Sequence, residues 1–247
     1  MSAAGDESVE SLESAESAGD WRRTRPMVFV ADLGNLELDP EDHHHLSRSL
    51  RVADGGEITV ADGRGRWQRA RFGRVAEPVD GVIVEDPPPP WDITIAFTPV
   101  KGQKPEWIVQ KLTELGVSHI APLSTERSVV RWDPSRSSRH LERWPRVIRE
   151  AAMQSRQVRL PTFSPPCAYS DYVAANPEAV AADPAGSLPQ RRLRHLMIGP
   201  EGGFSPPELD RVSLVSLPGG VLRAETAAIV AGAVLAGLRQ VEYQSSD

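Results

Sequence analysis

The sequence has little cysteine and no apolar run long enough to cross a membrane. Cys167 is the only cysteine among 247 residues, so the chain forms no internal disulfide and no cysteine-based zinc site. We interpret it as a small buried hydrophobe in a protein of the reducing cytoplasm. Because no stretch of about 20 apolar residues occurs, we predict no membrane partner. The first 20 residues also lack the basic and apolar regions of a secretory signal.

The sequence also lacks the short motifs of several common enzyme classes. It contains neither G-x-G-x-x-G nor G-x-x-x-x-G-K-[ST], which disfavours a Rossmann dinucleotide site and a P-loop. It contains no G-x-S-x-G, the nucleophile elbow of many hydrolases. His43, His44 and His45 are adjacent, but in a strand only His43 and His45 would share a face, and no second ligand cluster follows. We therefore predict no metal site and interpret the run as a surface or RNA-facing segment.

The net charge of −6 comes entirely from an acidic segment at residues 1–20. This segment contains six acidic and no basic residues, with many Ser and Ala, and we predict a disordered tail. Without its six acids, the 34 acidic residues fall to 28 and balance the 28 basic ones. Arginine is enriched at 22–25, 48–74 and 127–159. Such local enrichment is what phosphate contacts need, and an arginine-rich surface that is simply solvated is an equally good interpretation.

The hydrophobic pattern changes at a run of prolines, residues 87–90, which predicts a stiff linker between two domains. Before it, residues 21–86 show short alternating strands and Gly-Asp turns, the pattern of a small β-barrel. The predicted strands are 26–30, 57–60, 67–72 and 82–84, and the predicted turns are 53–56 and 61–65.

After the linker, residues 91–247 alternate between strands and helices, which predicts an α/β domain with a mostly parallel sheet. Pro145 predicts a kink or a later start in the second of its helices. Ser205 begins a further helix with a capping box, and residues 164–190 are predicted to be loop with at most a short helix. The Ala and Gly of the last helix indicate that something packs close to its backbone. Strands are expected at 92–98, 117–122, 194–198 and 212–217, and helices at 105–115, 141–155 and 224–243.

Two glycine-rich loops follow predicted strands and form the candidate site. Gly199-Pro200-Glu201-Gly202-Gly203 lies between an apolar strand and a capped helix, and residues 217–227 repeat this form with a Pro-Gly-Gly turn. Ligands of α/β sheets bind at the carboxyl ends of strands, and glycines let a ligand approach the backbone. A tight turn needs fewer glycines than the first loop holds, and we expect its glutamate on the buried side. Two such loops can face each other across one pocket.

Several ordered motifs resemble those of the bacterial 16S ribosomal RNA (uracil-N3)-methyltransferase family, and the resemblance extends from about Arg22 to the C-terminus. The segment 45–51 is similar to the basic segment of that family. The motifs are 101–107, 110–117, 126–130, 150–155, 198–204 and 222–227.

This resemblance implies a PUA-like barrel followed by a SPOUT domain whose parallel sheet carries a deep trefoil knot, although chains generally avoid knots. It implies S-adenosylmethionine as the methyl donor and a homodimer with the cofactor pocket by the subunit interface. The implied substrate is N3 of one uridine in the decoding region of 16S ribosomal RNA, within the small ribosomal subunit.

The resemblance and the loop positions together assign candidate residues. N3 of uracil must lose its proton to become a nucleophile, so we assign Arg223 to the charge developing on a uracil oxygen. Glu201 or Glu225 is the candidate base or pocket organiser, with an ion pair across the two loops as the alternative for Glu225. Cofactor-binding candidates are Leu196, Ile198, Gly199, Pro200, Gly202, Leu217, Gly219, Leu222 and Thr226. RNA-binding candidates are Arg22, Arg23, His45, Arg48, Arg51, Lys101, Arg127 and Arg131.

Two positions depart from the family pattern. Leu217-Pro218-Gly219-Gly220 stands where the family usually has Leu-Gly-x-Arg, and Arg156-Gln157 stands where Gly-Arg is usual. Two other functions stay open at this point: ribose 2′-O-methylation of RNA by the same fold, and a non-catalytic RNA-binding assembly factor. The intact glycine loops and Arg223 argue against the second.

Overall fold

The computed structural model describes residues 21–130 and 134–244, so the predicted tail at 1–20 and the candidate Arg131 lie outside the described residues. The chain forms two compact units. The N-terminal unit extends to Pro87 and also includes Ala152–Arg159, which the sequence did not predict; the C-terminal unit comprises Pro88–Ala151 and Leu160 onward.

The N-terminal unit is built on a four-stranded sheet in the order β1-β2-β3-β4. Strand β1 pairs parallel with β2, and the other two pairs are antiparallel. The predicted turns are confirmed: Gly55 and Gly63 adopt positive φ angles of 77° and 74°, which glycine reaches without strain. Leu46, Ile58, Val60 and Ala70 form the centre of the core. The strands are β1 (Met27–Phe29), β2 (Glu57–Ala61), β3 (Arg66–Arg71) and β4 (Glu77–Glu85).

The histidine run of this unit is helical, not extended. His43 and His44 end helix α1 (Pro40–His44), and His45 begins a π-helix (His45–Ser49). The ring of His43 lies 4.8 Å from that of Phe72, centroid to centroid, so this histidine packs on the core, whereas His44 and His45 are exposed. Among the described residues, no group of three or more His, Cys, Asp or Glu side chains could hold a metal ion.

Arg159 connects residues 152–159 to the rest of the N-terminal unit. Its guanidinium donates to the carbonyl of Arg64 and, at 2.6 Å, to the carbonyl of Asp86. The Gly65 N–H donates to the Val158 carbonyl at 3.0 Å. A side chain at Gly65 would collide with the guanidinium, so the glycine leaves room for this contact.

The C-terminal unit has a parallel sheet in the order β11-β9-β10-β5-β6-β7, with β8 paired to β6, which confirms the predicted parallel α/β fold. The knot stays a prediction. The strands are β5 (Thr94–Phe97), β6 (His119–Ser124), β7 (Thr162–Phe163), β8 (Cys167–Ala168), β9 (Val180–Ser187), β10 (His195–Ile198) and β11 (Ser213–Val215). The helices are α2 (Lys104–Glu114), α3 (Pro134–Ser155), α4 (Tyr169–Ala175), α5 (Pro206–Leu209) and α6 (Ala224–Gln244), and the last four residues of α3 belong to the N-terminal unit.

Two predictions for this unit are wrong. Helix α3 begins at Pro134 and runs through Pro145, so the proline does not delay its start. Residues 164–190, predicted to be mostly loop, contain α4 and the whole of β9, which lies between β10 and β11. Strand β9 includes Pro184 and Gly186, residues that disfavour strands, and this composition hid it from pattern analysis.

Helix α6 supplies small residues to the core. Ala228, Ala231 and Leu235 are buried, and a Cβ at Gly232 would lie 2.7 Å from Leu112 of α2, so the element that packs close to its backbone is α2. Of the described helices, α6 alone has the length and apolar composition of a membrane span. Its buried face accounts for part of that composition.

Candidate functional site

A cavity of about 760 Å³ opens at the carboxyl ends of β10 and β11 in the C-terminal unit. The loop after β10 forms one part of its wall, and the loop between β11 and α6 forms another, so the two loops singled out from the sequence share one pocket. Its lining residues are Ala182–Pro184, Ile198–Gly203, Ser216–Leu222, Ala224 and Ala227.

The first loop, residues 199–204, has a backbone that depends on glycine. Gly203 has a φ of 69°, in the left-handed region. A Cβ at Gly199 would lie 3.0 Å from the Phe204 ring, which is buried beside it. Ser205 then starts α5 in the predicted capping box, in which Glu208 Oε2 accepts from the Ser205 N–H at 2.8 Å.

The second loop contains the Pro-Gly-Gly sequence that departs from the family pattern. Gly219 has a φ of 105°, a positive value that glycine adopts without steric cost. Val221 is almost fully exposed at the cavity wall. The turn therefore forms part of the pocket despite its altered sequence.

A third segment of the wall was missed by sequence reasoning. Ala182, Asp183 and Pro184 belong to β9, where the pairing with β11 shifts between Leu214 and Val215. The shift leaves these residues out of the regular ladder and beside the cavity. The Asp183 carboxylate is oriented by the Ala185 N–H, which donates to it at 2.9 Å. No local pattern marked Asp183, because its position depends on a strand that the sequence did not reveal.

The charged side chains that line the cavity are both acidic, Asp183 and Glu201. No Lys, Arg or His is among the described residues of the wall. Such a wall favours a ligand with positive charge, since opposite charges attract strongly where water is partly excluded. The many backbone N–H and C=O groups of the glycine loops add uncharged hydrogen-bonding capacity.

The three catalytic candidates occupy different environments. Glu201 lines the cavity but is exposed, so the expectation of a buried-side glutamate is wrong. Arg223 is also exposed and lies outside the cavity wall, directly before α6. Glu225 is buried, and Lys104 Nζ donates to its Oε1 at 2.7 Å, so its ion pair joins α6 to α2 and does not cross the two loops. The hydrogen bond from Lys104 is the main cause that lowers the pKa of Glu225.

Most of the cofactor-binding candidates lie together. Ile198, Gly199, Pro200, Gly202, Leu217, Gly219 and Leu222 all line the cavity. Leu196 is fully buried inside β10, and Thr226 lies in the first turn of α6. Neither residue lines the cavity.

Two of the RNA-binding candidates, Arg22 and Arg127, bond to other groups of the protein. Arg22 forms an ion pair with Asp86 and stacks over Trp67 at 5.6 Å from the ring centroid. Arg127 donates to the carbonyls of Gly202 and Phe204, at 3.1 and 3.2 Å. Both guanidiniums therefore have structural partners. The other described candidates are all exposed: Arg23, His45, Arg48 and Arg51 in the N-terminal unit and Lys101 in the C-terminal unit.

The chain is similar to known proteins over most of its length. A family model described as an RNA methyltransferase domain matches residues 87–236. The Ribosomal RNA small subunit methyltransferase E of Synechocystis is 33% identical, with 76% of this chain and 68% of that protein covered. The protein of the same name from Mycobacterium bovis is 31% identical, with 80% and 84% covered.

Solved structures give the same likeness. A methyltransferase from Legionella pneumophila in complex with the bound cofactor SAM has a TM-score of 0.74 at 29% identity, covering 86% of this chain and 97% of that chain. The Ribosomal RNA small subunit methyltransferase E from Neisseria gonorrhoeae, bound to S-adenosyl methionine, has a TM-score of 0.73 at 26% identity, covering 87% and 98%.

Proposed function

The chain belongs to the RNA methyltransferase domain family, among the ribosomal RNA small subunit methyltransferases E, and from this we propose that it methylates 16S ribosomal RNA with S-adenosylmethionine. The finer proposal is that the methyl group goes to N3 of one uridine in the decoding region, on the small subunit. The observation that carries the proposal is the acidic, glycine-lined cavity at the carboxyl ends of the parallel strands.

The cavity fits the proposed cofactor in size and charge. Its volume of about 760 Å³ lies in the range of small-molecule sites, which is roughly 300–1,000 Å³. The carboxylates of Asp183 and Glu201 complement a ligand that carries a sulfonium and an ammonium group. When bound, S-adenosylmethionine supplies an electrophilic methyl group on its positively charged sulfur. The protein then has to orient the uracil and handle its N3 proton.

We assign roles to the three catalytic candidates from their environments. Arg223 stabilises the negative charge that develops on a uracil oxygen, a role that its exposed position at the end of the second loop permits. Glu201, on the cavity wall, is the candidate acceptor for the N3 proton. Glu225, held as a carboxylate by Lys104, organises the start of α6 and is poorly suited to accept a proton.

RNA contacts are proposed for the exposed basic residues of both units. Arg23, His45, Arg48 and Arg51 in the N-terminal unit, and Lys101 in the C-terminal unit, are available for phosphates. An enzyme reaches the reacting atom of a base only when that base has left the helical stack. We therefore expect the protein to recognise one extruded uridine together with the shape of the assembled subunit.

Several finer features implied by the resemblance belong to this proposal. They are the trefoil knot, the PUA-like character of the N-terminal unit, the homodimer and the cytoplasmic location. The homodimer is supported by exposed small residues of α6, Ala233 and Gly237, which would allow a second helix to approach closely.

Replacing Arg223 tests the proposed charge stabilisation. In Arg223→Ala, we expect the single-turnover methylation rate to fall by a factor of about 10²–10³, because a transition-state hydrogen-bond donor is lost. Binding of S-adenosylmethionine, measured by calorimetry, should stay unchanged. Arg211→Ala removes another exposed arginine of the same unit and is the matched control. A full methylation rate in Arg223→Ala would refute the assignment.

Mass spectrometry of small-subunit RNA tests the substrate. RNA from cells that lack the gene should miss one methyl group on a uracil base, and purified protein should restore it. A missing ribose methyl group would favour 2′-O-methylation instead, and an unchanged RNA would favour the non-catalytic assembly factor.

A further inference from the structure

Two loops at the carboxyl edge of the sheet of the C-terminal unit are joined by side chains that reach in opposite directions. The 125–128 loop follows β6, and the 199–205 loop follows β10 and lines the cavity. Arg127 of the 125–128 loop donates from Nη1 to the carbonyls of Gly202 and Phe204 in the 199–205 loop.

Glu208 makes the return connection. Its Oε1 accepts from the Glu126 N–H at 2.9 Å, while its Oε2 accepts from the Ser205 N–H at 2.8 Å. The carboxylate therefore bonds one backbone amide in each loop. The backbone of Glu208 is held in turn by Tyr169, whose hydroxyl donates to the main-chain carbonyl of Glu208 at 2.5 Å.

The burial of Glu208 makes these bonds important. The residue is only 8% exposed, and a buried carboxylate is stable only where its oxygens receive hydrogen bonds. Removing the carboxylate would leave the Ser205 and Glu126 amides without acceptors, a state that costs more than the net value of the bonds themselves. The 199–205 loop would then relax away from its present form.

The joined residues are directly beside the proposed cofactor. Gly202 lines the cavity, and the nearest side chain to a Cβ built on it is Arg127, at 4.0 Å. A loop that binds through its backbone must already have the right shape, because ordering it on binding would reduce affinity. Arg127 and Glu208 hold the loop in that shape, although neither side chain lines the cavity.

We propose that Arg127 and Glu208 are positioning residues that hold the 199–205 loop in its cofactor-binding form. The inference rests on the proposed function, since it concerns the affinity of the same cavity for S-adenosylmethionine. Neither residue is assigned contact with the reacting atoms. Their loss should therefore raise the Kd and KM for S-adenosylmethionine and leave the kcat at saturating cofactor within about twofold.

The test measures S-adenosylmethionine binding by calorimetry in Glu208→Gln, Arg127→Ala and Arg127→Lys. We expect the Kd to rise about tenfold in Glu208→Gln and Arg127→Ala, and less in Arg127→Lys, which keeps a donor for one carbonyl. In the double variant Arg127→Ala with Glu208→Gln, the loss of binding free energy for S-adenosylmethionine should be smaller than the sum of the losses in the two single variants, because both residues hold the same loop. Arg127 is exposed, so its variants should fold even if Glu208→Gln does not.

Ile148→Val is the control for a general loss of stability. This core residue of α3 is 3% exposed, and its truncation lowers stability by about 1 kcal/mol without touching either loop. Its Kd should match that of the unmodified protein. The proposal is overturned if the Arg127 variants bind normally, or if Ile148→Val weakens binding equally. If the unmodified protein itself does not bind S-adenosylmethionine, the proposed function fails instead.

Discussion

Arg156 ends helix α3 in a backbone conformation that normally favours glycine. Its φ is 63°, and the Gln157 N–H donates to the Ala152 carbonyl at 3.0 Å, the bond that closes a Schellman motif. The position is where the resembled family usually has glycine. The sequence departure therefore has a structural consequence, because an L side chain is strained in the left-handed region.

Replacing Arg156 measures that strain. We expect Arg156→Gly to have an unfolding free energy about 1 kcal/mol higher than Arg156→Ala, because glycine adopts the positive φ without penalty. Both variants lose the hydrogen bond from Arg156 Nη1 to the Met153 carbonyl, so their difference isolates the backbone. Urea unfolding provides the measurement, and equal stabilities would show that the helix end relaxes.

At the scale of elements, strand β9 is the most informative difference between expectation and structure. A Cβ on Gly186 would collide with backbone atoms of Val215 in β11, so the two strands approach closely at this point. The close approach requires glycine for lack of space, not for a positive φ. The residue thus marks a strand contact that no sequence pattern indicated.

A substitution at Gly186 tests this packing. Gly186→Ala should lower the unfolding free energy by about 1–3 kcal/mol, because the strands must separate to admit a methyl group. Asp183, three residues earlier in β9, should move with the strand, and cofactor affinity should fall as well. Gly220→Ala is the control for melting temperature, since a Cβ built there meets no neighbouring atom within 4 Å and the residue has no positive φ. Similar melting temperatures for the two variants would contradict the model of close packing.

At the scale of the whole C-terminal unit, a row of polar side chains crosses the sheet at the start of its strands. His195, Thr94, His119 and Thr162 are register partners on neighbouring strands. His119 bonds Thr162 at 2.8 Å, and His195 Nε2 lies 3.3 Å from Glu178. Burial, and then the charge of His195, lower the pKa of His119, and burial lowers the pKa of His195 although Glu178 opposes it.

These lowered pKa values predict loss of stability in acid. An unfolded histidine binds its proton near pH 6.5, whereas the folded rings resist it, so stability is full above about pH 6.5 and falls as the pH decreases. Each ring should contribute less than about 1 kcal/mol between pH 7.5 and 5.5, because both are partly solvated. The free energy of urea unfolding at the two pH values provides the measurement.

His119→Gln should reduce this pH dependence, while His44→Gln, at an exposed position of the N-terminal unit, should not. If both variants keep the slope of the unmodified protein, other groups cause the acid sensitivity.

The local features of this protein were predictable from sequence because neighbouring residues determine them. The parallel α/β fold, the Gly55 and Gly63 turns, the capping box at Ser205 and both glycine loops follow from periodicity and backbone freedom. The resemblance of ordered motifs identified the family for the same reason, since each motif is a short continuous segment.

Only the tertiary structure decided how distant segments complete the pocket. The Lys104–Glu225 pair joins residues 121 positions apart, and the bonds that Arg127 and Glu208 make between the 125–128 and 199–205 loops join residues 75 to 82 positions apart. Asp183 reaches the cavity through a strand whose composition resembles a loop. Charge and hydrogen-bond partners depend on distance in space, whereas sequence patterns report on distance along the chain, so the sequence determined the loops and the fold determined what holds them in place.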